Sequence, residues 1–399
     1  MQSDPDRAAP LSRLTNDGIT RRRALRYGAG AVAGLTLPGV LAACGGDDET
    51  TTTAASSGGE APTPSGTIDF FGWEGEDLKG IRPMEAFLKS NGATVKASYT
   101  PTLDDITPKL EGNSSVDLLG YTSNVTERLQ TADLLQPLDT ANLPNLDGLL
   151  ARWQEDNPQW IENGERLFVP SFFQAFSLIY NSDEVTDPPS EYRGLLEPEF
   201  SGKIVTWAEP NAAFGVLSDM LDIEQGQVPK DRIDELADLF QQFLDQSKSV
   251  AASPGDIVTQ LVSGEVIAAF LGTPQFTLFA NGAGGKGSAI KDVAEIEGGN
   301  MSFTDGYGIP NGADNPDSAY AFINQVLDPK TNAAISEAFA GGVVVEGAEE
   351  FLPADRRLYP TSELDTILEA APLQILAPLE SDEFVTQGEW IERFTQLTS

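Results

Sequence analysis

The chain predicts an α/β fold built as two lobes, on three observations. Short β-rich runs alternate with helix-like segments along most of its length. The folded part, about 330 residues, exceeds one ordinary hydrophobic core. No cysteine follows Cys44, so no internal disulfide can form and the core alone must supply stability.

Residues 67–71 read as a first strand, 93–99 as a second and 116–120 as a third, with helical stretches at 84–89 and 103–110 between them. This βαβα pattern implies a sheet whose strand ends face a crevice. A second set of strands follows at 167–170, 177–180, 203–207 and 266–271. Between the last two, residues 231–246 place Ile233, Leu236, Leu239, Phe240, Phe243 and Leu244 at helical spacing. That single apolar stripe reads as core rather than as a partner surface. An extended run at 299–310 and helices at 318–327 and 330–339 complete the pattern, and no internal repeat is visible.

The first 66 residues read as address and tether. Arg21, Arg22 and Arg23 precede a mildly apolar, Gly/Ala-rich run at 27–43, the layout of a signal peptide with a twin-arginine n-region. The run is shorter than the roughly 20 residues of a membrane span and contains Pro38. It ends in Leu41-Ala42-Ala43-Cys44-Gly45, which resembles a bacterial lipobox: small residues admit a peptidase, and the Cys44 thiol takes a diacylglyceryl group. The expectation is an exported protein with residues 1–43 as signal. Acyl chains on Cys44 would hold it at the outer face of the cell membrane or in the periplasm. Residues 44–66, dominated by Thr, Ala, Ser, Gly and Pro after an acidic start, cannot bury enough apolar surface to fold and read as a flexible tether.

Charge and composition narrow the function. Six of the 25 Lys and Arg residues and three of the 61 Asp and Glu residues precede Cys44, leaving 19 against 58 and a net charge near −39. Nucleic acid and anionic lipid surfaces are therefore unfavourable partners. Such a field aids solubility or salt adaptation, and it also concentrates cationic ligands. The chain has no histidine, the commonest general base and transition-metal ligand. No nucleophile elbow, phosphate loop or zinc motif is present. Residues 47–49 and 346–350 are carboxylate-rich but lack the alternation of a calcium loop. No catalytic residue, metal or cofactor is assigned.

Read in order, several motifs carry a resemblance. They are Phe70-Phe71-Gly72-Trp73-Glu74; Asp117-Leu118-Leu119; Leu135-Gln136-Pro137-Leu138-Asp139; Val169-Pro170-Ser171-Phe172-Phe173; and Leu178-Ile179-Tyr180-Asn181. Further along stand Leu196-Glu197-Pro198-Glu199-Phe200-Ser201-Gly202-Lys203, Val262-Ser263-Gly264-Glu265-Val266 and Asp305-Gly306-Tyr307-Gly308-Ile309-Pro310. Together they resemble the spermidine/putrescine-binding proteins of bacterial polyamine importers, over nearly all of residues 67–395. The resemblance implies a two-lobed, type II periplasmic-binding-protein-like fold that closes over its ligand. It further implies that residues 67–172 and 302–350 form lobe 1, and 173–301 and 351–399 lobe 2. The protein would act as a monomer that delivers a small cation to an ABC importer permease, with no enzymatic activity.

Trp73 matches the family's first-lobe aromatic, Asp305 its key carboxylate, Phe303 the aromatic two residues earlier, and Glu209 the acid after the 203–207 strand. Where the family has a tyrosine, this chain has Asn124 beside Thr122 and Ser123. Aromatics of the family are missing near Gly272 and Gly342. Carboxylates pair with ammonium groups and aromatic faces stack on methylene stems, each cation–π contact contributing about 0.5–2 kcal/mol. Residue chemistry alone leaves alternatives open. Trp73 could be core, Asp305 could cap the turn at Gly306, and Glu209 could be a helix entry. The same fold could take a sugar or an amine derivative, and Glu209 with Asp305 could serve a carboxylate-dependent surface hydrolase.

Overall fold

The computed structural model describes residues 61–399 except 101, 113–114, 283–284, 294–295 and 297. The expected signal with Arg21, Arg22 and Arg23, the expected acylation site Cys44 and most of the expected tether lie outside the described residues. The end of that tether belongs to the fold. Gly66 opens the first strand, and Ser65 is tied down by Ser318, whose hydroxyl accepts from Ser65 N at 2.9 Å.

The strands among the described residues are β1 (Gly66–Gly72), β2 (Ala93–Tyr99), β3 (Leu118–Thr122), β4 (Ile161–Glu162), β5 (Glu165–Arg166), β6 (Val169–Ala175), β7 (Leu178–Asn181), β8 (Ile204–Trp207), β9 (Ser247–Ala251), β10 (Ala268–Phe270), β11 (Ile290–Val293) and β12 (Ser302–Gly308). One five-stranded sheet has the order β2-β1-β3-β12-β6 and a second the order β11-β7-β10-β8-β9, while β4 and β5 form a separate hairpin. In the first sheet β1, β2 and β3 are parallel, and β12 runs antiparallel to both β3 and β6. The third strand begins two residues later than its sequence pattern predicts, because Asp117 serves as a junction: its carboxylate accepts from the backbone N–H groups of Asp69 and Asn315.

Each sheet carries its own core. The first gathers Ile68, Phe70, Leu118, Tyr121, Trp153, Phe173 and Tyr307. The second gathers Leu178, Tyr192, Phe214, Phe240, Phe270 and Trp390, with a smaller cluster around Ile179, Val205 and Phe276 on the opposite face. Fully burying one such large apolar side chain contributes roughly 1.5–3 kcal/mol. The amphipathic segment forms the helix Ile233–Gln246, which buries Leu236, Leu239, Phe240 and Phe243 as its stripe predicts. The helix Pro210–Met220 escapes a periodicity reading because every residue from Asn211 to Ser218 is buried, so no polar face marks its turns.

The chain crosses between the cores in three places. β6 leaves the first sheet and Phe176 enters the second core; Met301 leaves that core and β12 enters the first sheet, with Phe176 N donating to Met301 O at 2.8 Å. The third crossing differs from the expected boundary at 351. Leu352, Leu364, Leu368 and Leu373 pack in the first core, and only from Ala377 onward do Val385, Trp390 and Phe394 join the second. The return segment is pinned to β12 as it passes: Ser302 N donates to Pro372 O and Gln374 N to Ser302 O, at 2.9 and 2.8 Å.

Candidate functional site

The site is assembled at the ends of β1, β3 and β12 in the first lobe. β1 runs into a turn closed by Glu76 N to Trp73 O and Leu78 N to Gly75 O hydrogen bonds of 3.2 and 3.0 Å. Gly72 permits the approach of β1 to β3, since a Cβ there would meet Gly120 O at 2.4 Å. β12 sets Asp305 directly opposite Thr122 of β3. On its other side the register to β6 shifts between Asp305 and Gly306, an irregularity that re-aims the local side chains. Gly306 is required at that point, because a Cβ would stand 2.1 Å from Val169 O.

Three of the expected site residues meet as a chain of hydrogen bonds. Trp73 Nε1 donates to Thr122 Oγ1 at 3.3 Å, and Thr122 Oγ1 donates to Asp305 Oδ1 at 2.6 Å. Trp73 keeps part of its indole exposed, whereas Asp305 is 6% exposed. No Lys or Arg among the described residues pairs with it. Burial raises the Asp305 carboxyl to about 7, against the opposing effect of hydrogen bonds with Thr122 and Glu76. Glu76 is a residue that the sequence reading passed over. It is 1% exposed, and burial, followed by the charge of Asp305, pushes its carboxyl well above the ordinary range. Its one visible signal was a second acid in Trp73-Glu74-Gly75-Glu76, which spacing alone could not place against residue 305.

Phe303 is part-buried, packs against both cores and meets Phe176 at 5.3 Å between ring centroids, so it lies where the chain crosses. Ser123 and Asn124 face a different set of partners. Ser123 Oγ donates to Gln159 Oε1 at 2.7 Å, and Asn124 Nδ2 donates to Gln374 Oε1 at 2.9 Å. Gln374 then donates through Nε2 to Asn211 O at 2.7 Å, which joins the first lobe to the second through amides. Gln159 and Gln374 carry no motif and lie far along the chain from Asn124, so only the folded structure reveals them.

Glu209 acts as the N-cap of the helix Pro210–Met220, where its side chain accepts from Ala212 N and from Asn211 Nδ2. The helix-entry role, one of the alternatives the sequence left open, is the one its geometry fills. The positions of the missing aromatics also have a physical account. A Cβ at Gly272 would stand 2.5 Å from Ile179 Cγ1, and one at Gly342 would stand 2.1 Å from the Phe173 ring, so core side chains occupy that space.

A sequence model of the bacterial extracellular solute-binding protein family matches residues 113–362. The putrescine-binding periplasmic protein PotF of Escherichia coli is 24% identical over 292 residues, 68% of this chain and 76% of that protein. A putrescine/cadaverine-binding protein of Pseudomonas aeruginosa is 22% identical over 300 residues, 73% of this chain and 82% of that protein. Among solved structures, a putative spermidine/putrescine ABC transporter protein from Listeria monocytogenes superimposes with a TM-score of 0.68 at 20% identity, covering 83% of this chain and 98% of the other. The two sheets joined by crossing strands are thus a fold shared with periplasmic solute receptors, and the chain belongs to the bacterial extracellular solute-binding protein family.

Proposed function

We propose that this protein is the receptor of an ABC importer and that its solute is a small organic cation of the polyamine class, such as putrescine or spermidine. The observation that carries the reading is Asp305: a buried carboxyl at the end of a crossing strand, hydrogen-bonded by a hydroxyl, unmatched by any base among the described residues, and linked through Thr122 to the part-exposed indole of Trp73. An ammonium group supplies the missing countercharge, and an aromatic face suits the methylene stem behind it. Phe303, on the same strand and touching both cores, adds a second apolar surface. The names of the relatives agree with this solute class.

In the same reading the protein is a non-enzymatic monomer, exported under the direction of Arg21, Arg22 and Arg23 and held at the membrane through acylated Cys44. It hands its solute to an ABC permease. Calorimetric titration of the purified chain with diamines, spermidine, sugars and amino acids tests the solute class. Micromolar or tighter binding confined to the amines is the expected result. Tight binding of a neutral sugar with none of any amine would transfer the site to the hydroxyl and amide set of Thr122, Ser123 and Asn124.

A further inference from the structure

Gln374 lies on the third crossing between the lobes, where Leu373 still packs in the first core and Ala377 already packs in the second. Its backbone is pinned to β12 through Ser302, and its side-chain amide is engaged at both ends. Oε1 accepts from Asn124 Nδ2 just past the end of β3, and Nε2 donates to Asn211 O in the first turn of the helix Pro210–Met220, at 2.9 and 2.7 Å. Gln374 and Asn211 are each 4% exposed, so water has little access to the bridge.

The direction of the Gln374 amide is fixed by a group that can only accept. Asn211 O is a main-chain carbonyl, so the end of Gln374 that faces it is Nε2 and the other end is Oε1. Asn124 must then present Nδ2, which leaves its buried Oδ1 without a partner among the described residues. Gln159 is oriented in the same way: its Nε2 donates to Gln374 O at 2.9 Å, and its Oε1 accepts from Ser123 Oγ at 2.7 Å. On the far side, Gln387 Nε2 donates to Asn211 Oδ1 at 3.1 Å. Two first-lobe side chains thus hold Gln374 from one side and the helix entry of the second lobe holds it from the other, and none of these bonds involves an ionised group.

We propose that Gln374 is an interlobe strap: with no solute bound, its amide ties the end of β3 to the start of the helix Pro210–Met220, and the cleft opens only when that amide releases one side. Asn124 and Asn211 lie 250 and 163 positions from Gln374, so the covalent chain does not hold the three together when the lobes rotate. A rotation that lengthens either contact to about 3.6 Å ends it as a hydrogen bond. The strap favours the arrangement seen here by the net worth of two neutral hydrogen bonds, which changes the closed-to-open ratio on the order of tenfold. The inference concerns closure and does not depend on which solute the site takes.

The test is the distance between the lobes in the dialysed, solute-free full chain, read by double electron–electron resonance. Spin labels go on Lys89→Cys and Gln242→Cys, with Cys44→Ser removing the one native thiol. Both positions are exposed, on the helices Arg82–Ser90 and Ile233–Gln246 that pack on the first and second cores. Gln374→Met keeps the length of the side chain and removes both polar ends, so the ratio of long-distance to short-distance populations should rise on the order of tenfold. Asn124→Ala removes only the first-lobe donor, leaves the buried crossing intact, and should shift the populations the same way by less. The double variant should shift no further than Gln374→Met alone, because both break the same contact. Thermal melts confirm that each variant is folded, and Asn124→Ala carries the test if Gln374→Met does not fold. Unchanged distances in the folded variants overturn the strap, as do shifts that add in the double variant. A lower melting temperature at the parent distance likewise overturns it and leaves Gln374 as packing alone.

Discussion

Thr122 Oγ1 donates to Asp305 Oδ1 at 2.6 Å across the β3–β12 register pair while itself accepting from Trp73 Nε1. One hydroxyl therefore orients the carboxyl and the indole together, and it favours the ionised form of Asp305. Thr122→Val keeps the shape and removes the donor. The expected outcome is binding of 1,4-diaminobutane weakened by about 0.5–1.5 kcal/mol, with the midpoint of its pH dependence moved upward. Calorimetry across pH checks both, and an unchanged affinity would detach Thr122 from the site.

Charge and stacking should separate in a pair of variants. Asp305→Asn preserves size and removes the charge, so it should cost about 2–5 kcal/mol of diamine affinity. Trp73→Phe trades one aromatic face for another and should cost nearer 0.5–2 kcal/mol. Equal affinity of Asp305→Asn and wild type would count against a cationic solute.

Stability should depend on pH through the same carboxyl. The folded-state value of about 7 lies above the ordinary 3.8, so the favourable contribution is complete below about 4 and is lost as pH rises through about 7. Relative to Asp305→Asn, the unliganded wild type should lose stability across that window, on the order of 4 kcal/mol at most. Urea unfolding of both proteins at several pH values reads the difference. Parallel curves would mean that Asp305 titrates normally.

Glu209 is expected to behave as a cap. Glu209→Ala should cost about 0.5–2 kcal/mol of stability, seen as a lower melting temperature, while diamine affinity changes far less than in Asp305→Asn. A large loss of affinity in a well-folded Glu209→Gln protein would return this residue to the binding set.

Cys44→Ser should leave the protein unacylated, because a hydroxyl is a much weaker nucleophile than a thiol toward the acyl donor. Detergent-phase partitioning and acyl labelling in cells check it. A serine variant that still partitions with detergent would point to a different anchor.

The elements most legible in the sequence were those with one-sided patterns or short-range motifs. The β1 and β2 runs, the stripe of Ile233–Gln246, and the Asp305 and Trp73 positions were readable because periodicity, charge and family resemblance all act over a few residues. The fully buried Pro210–Met220 helix, and the Leu352 to Leu373 stretch that packs with the first core, were not, since nothing local distinguishes which core an apolar residue joins.

The sequence by itself determined the α/β alternation, the acidic surface charge, the lack of histidine chemistry and the residues that could meet a cation. Tertiary structure alone decided which of these residues share a site. Thr122 and Asp305 are 183 positions apart and touch because β12 returns from the second lobe to lie between β3 and β6. Glu76 packs against β3 because Gly120 leaves room for its carboxyl beside bare backbone. Glu209 caps the helix beginning at Pro210 because that helix presents unsatisfied N–H groups to its side chain. Burial, strand register and the space left by a missing Cβ depend on residues far apart in the chain, and no reading of neighbours along it contains them.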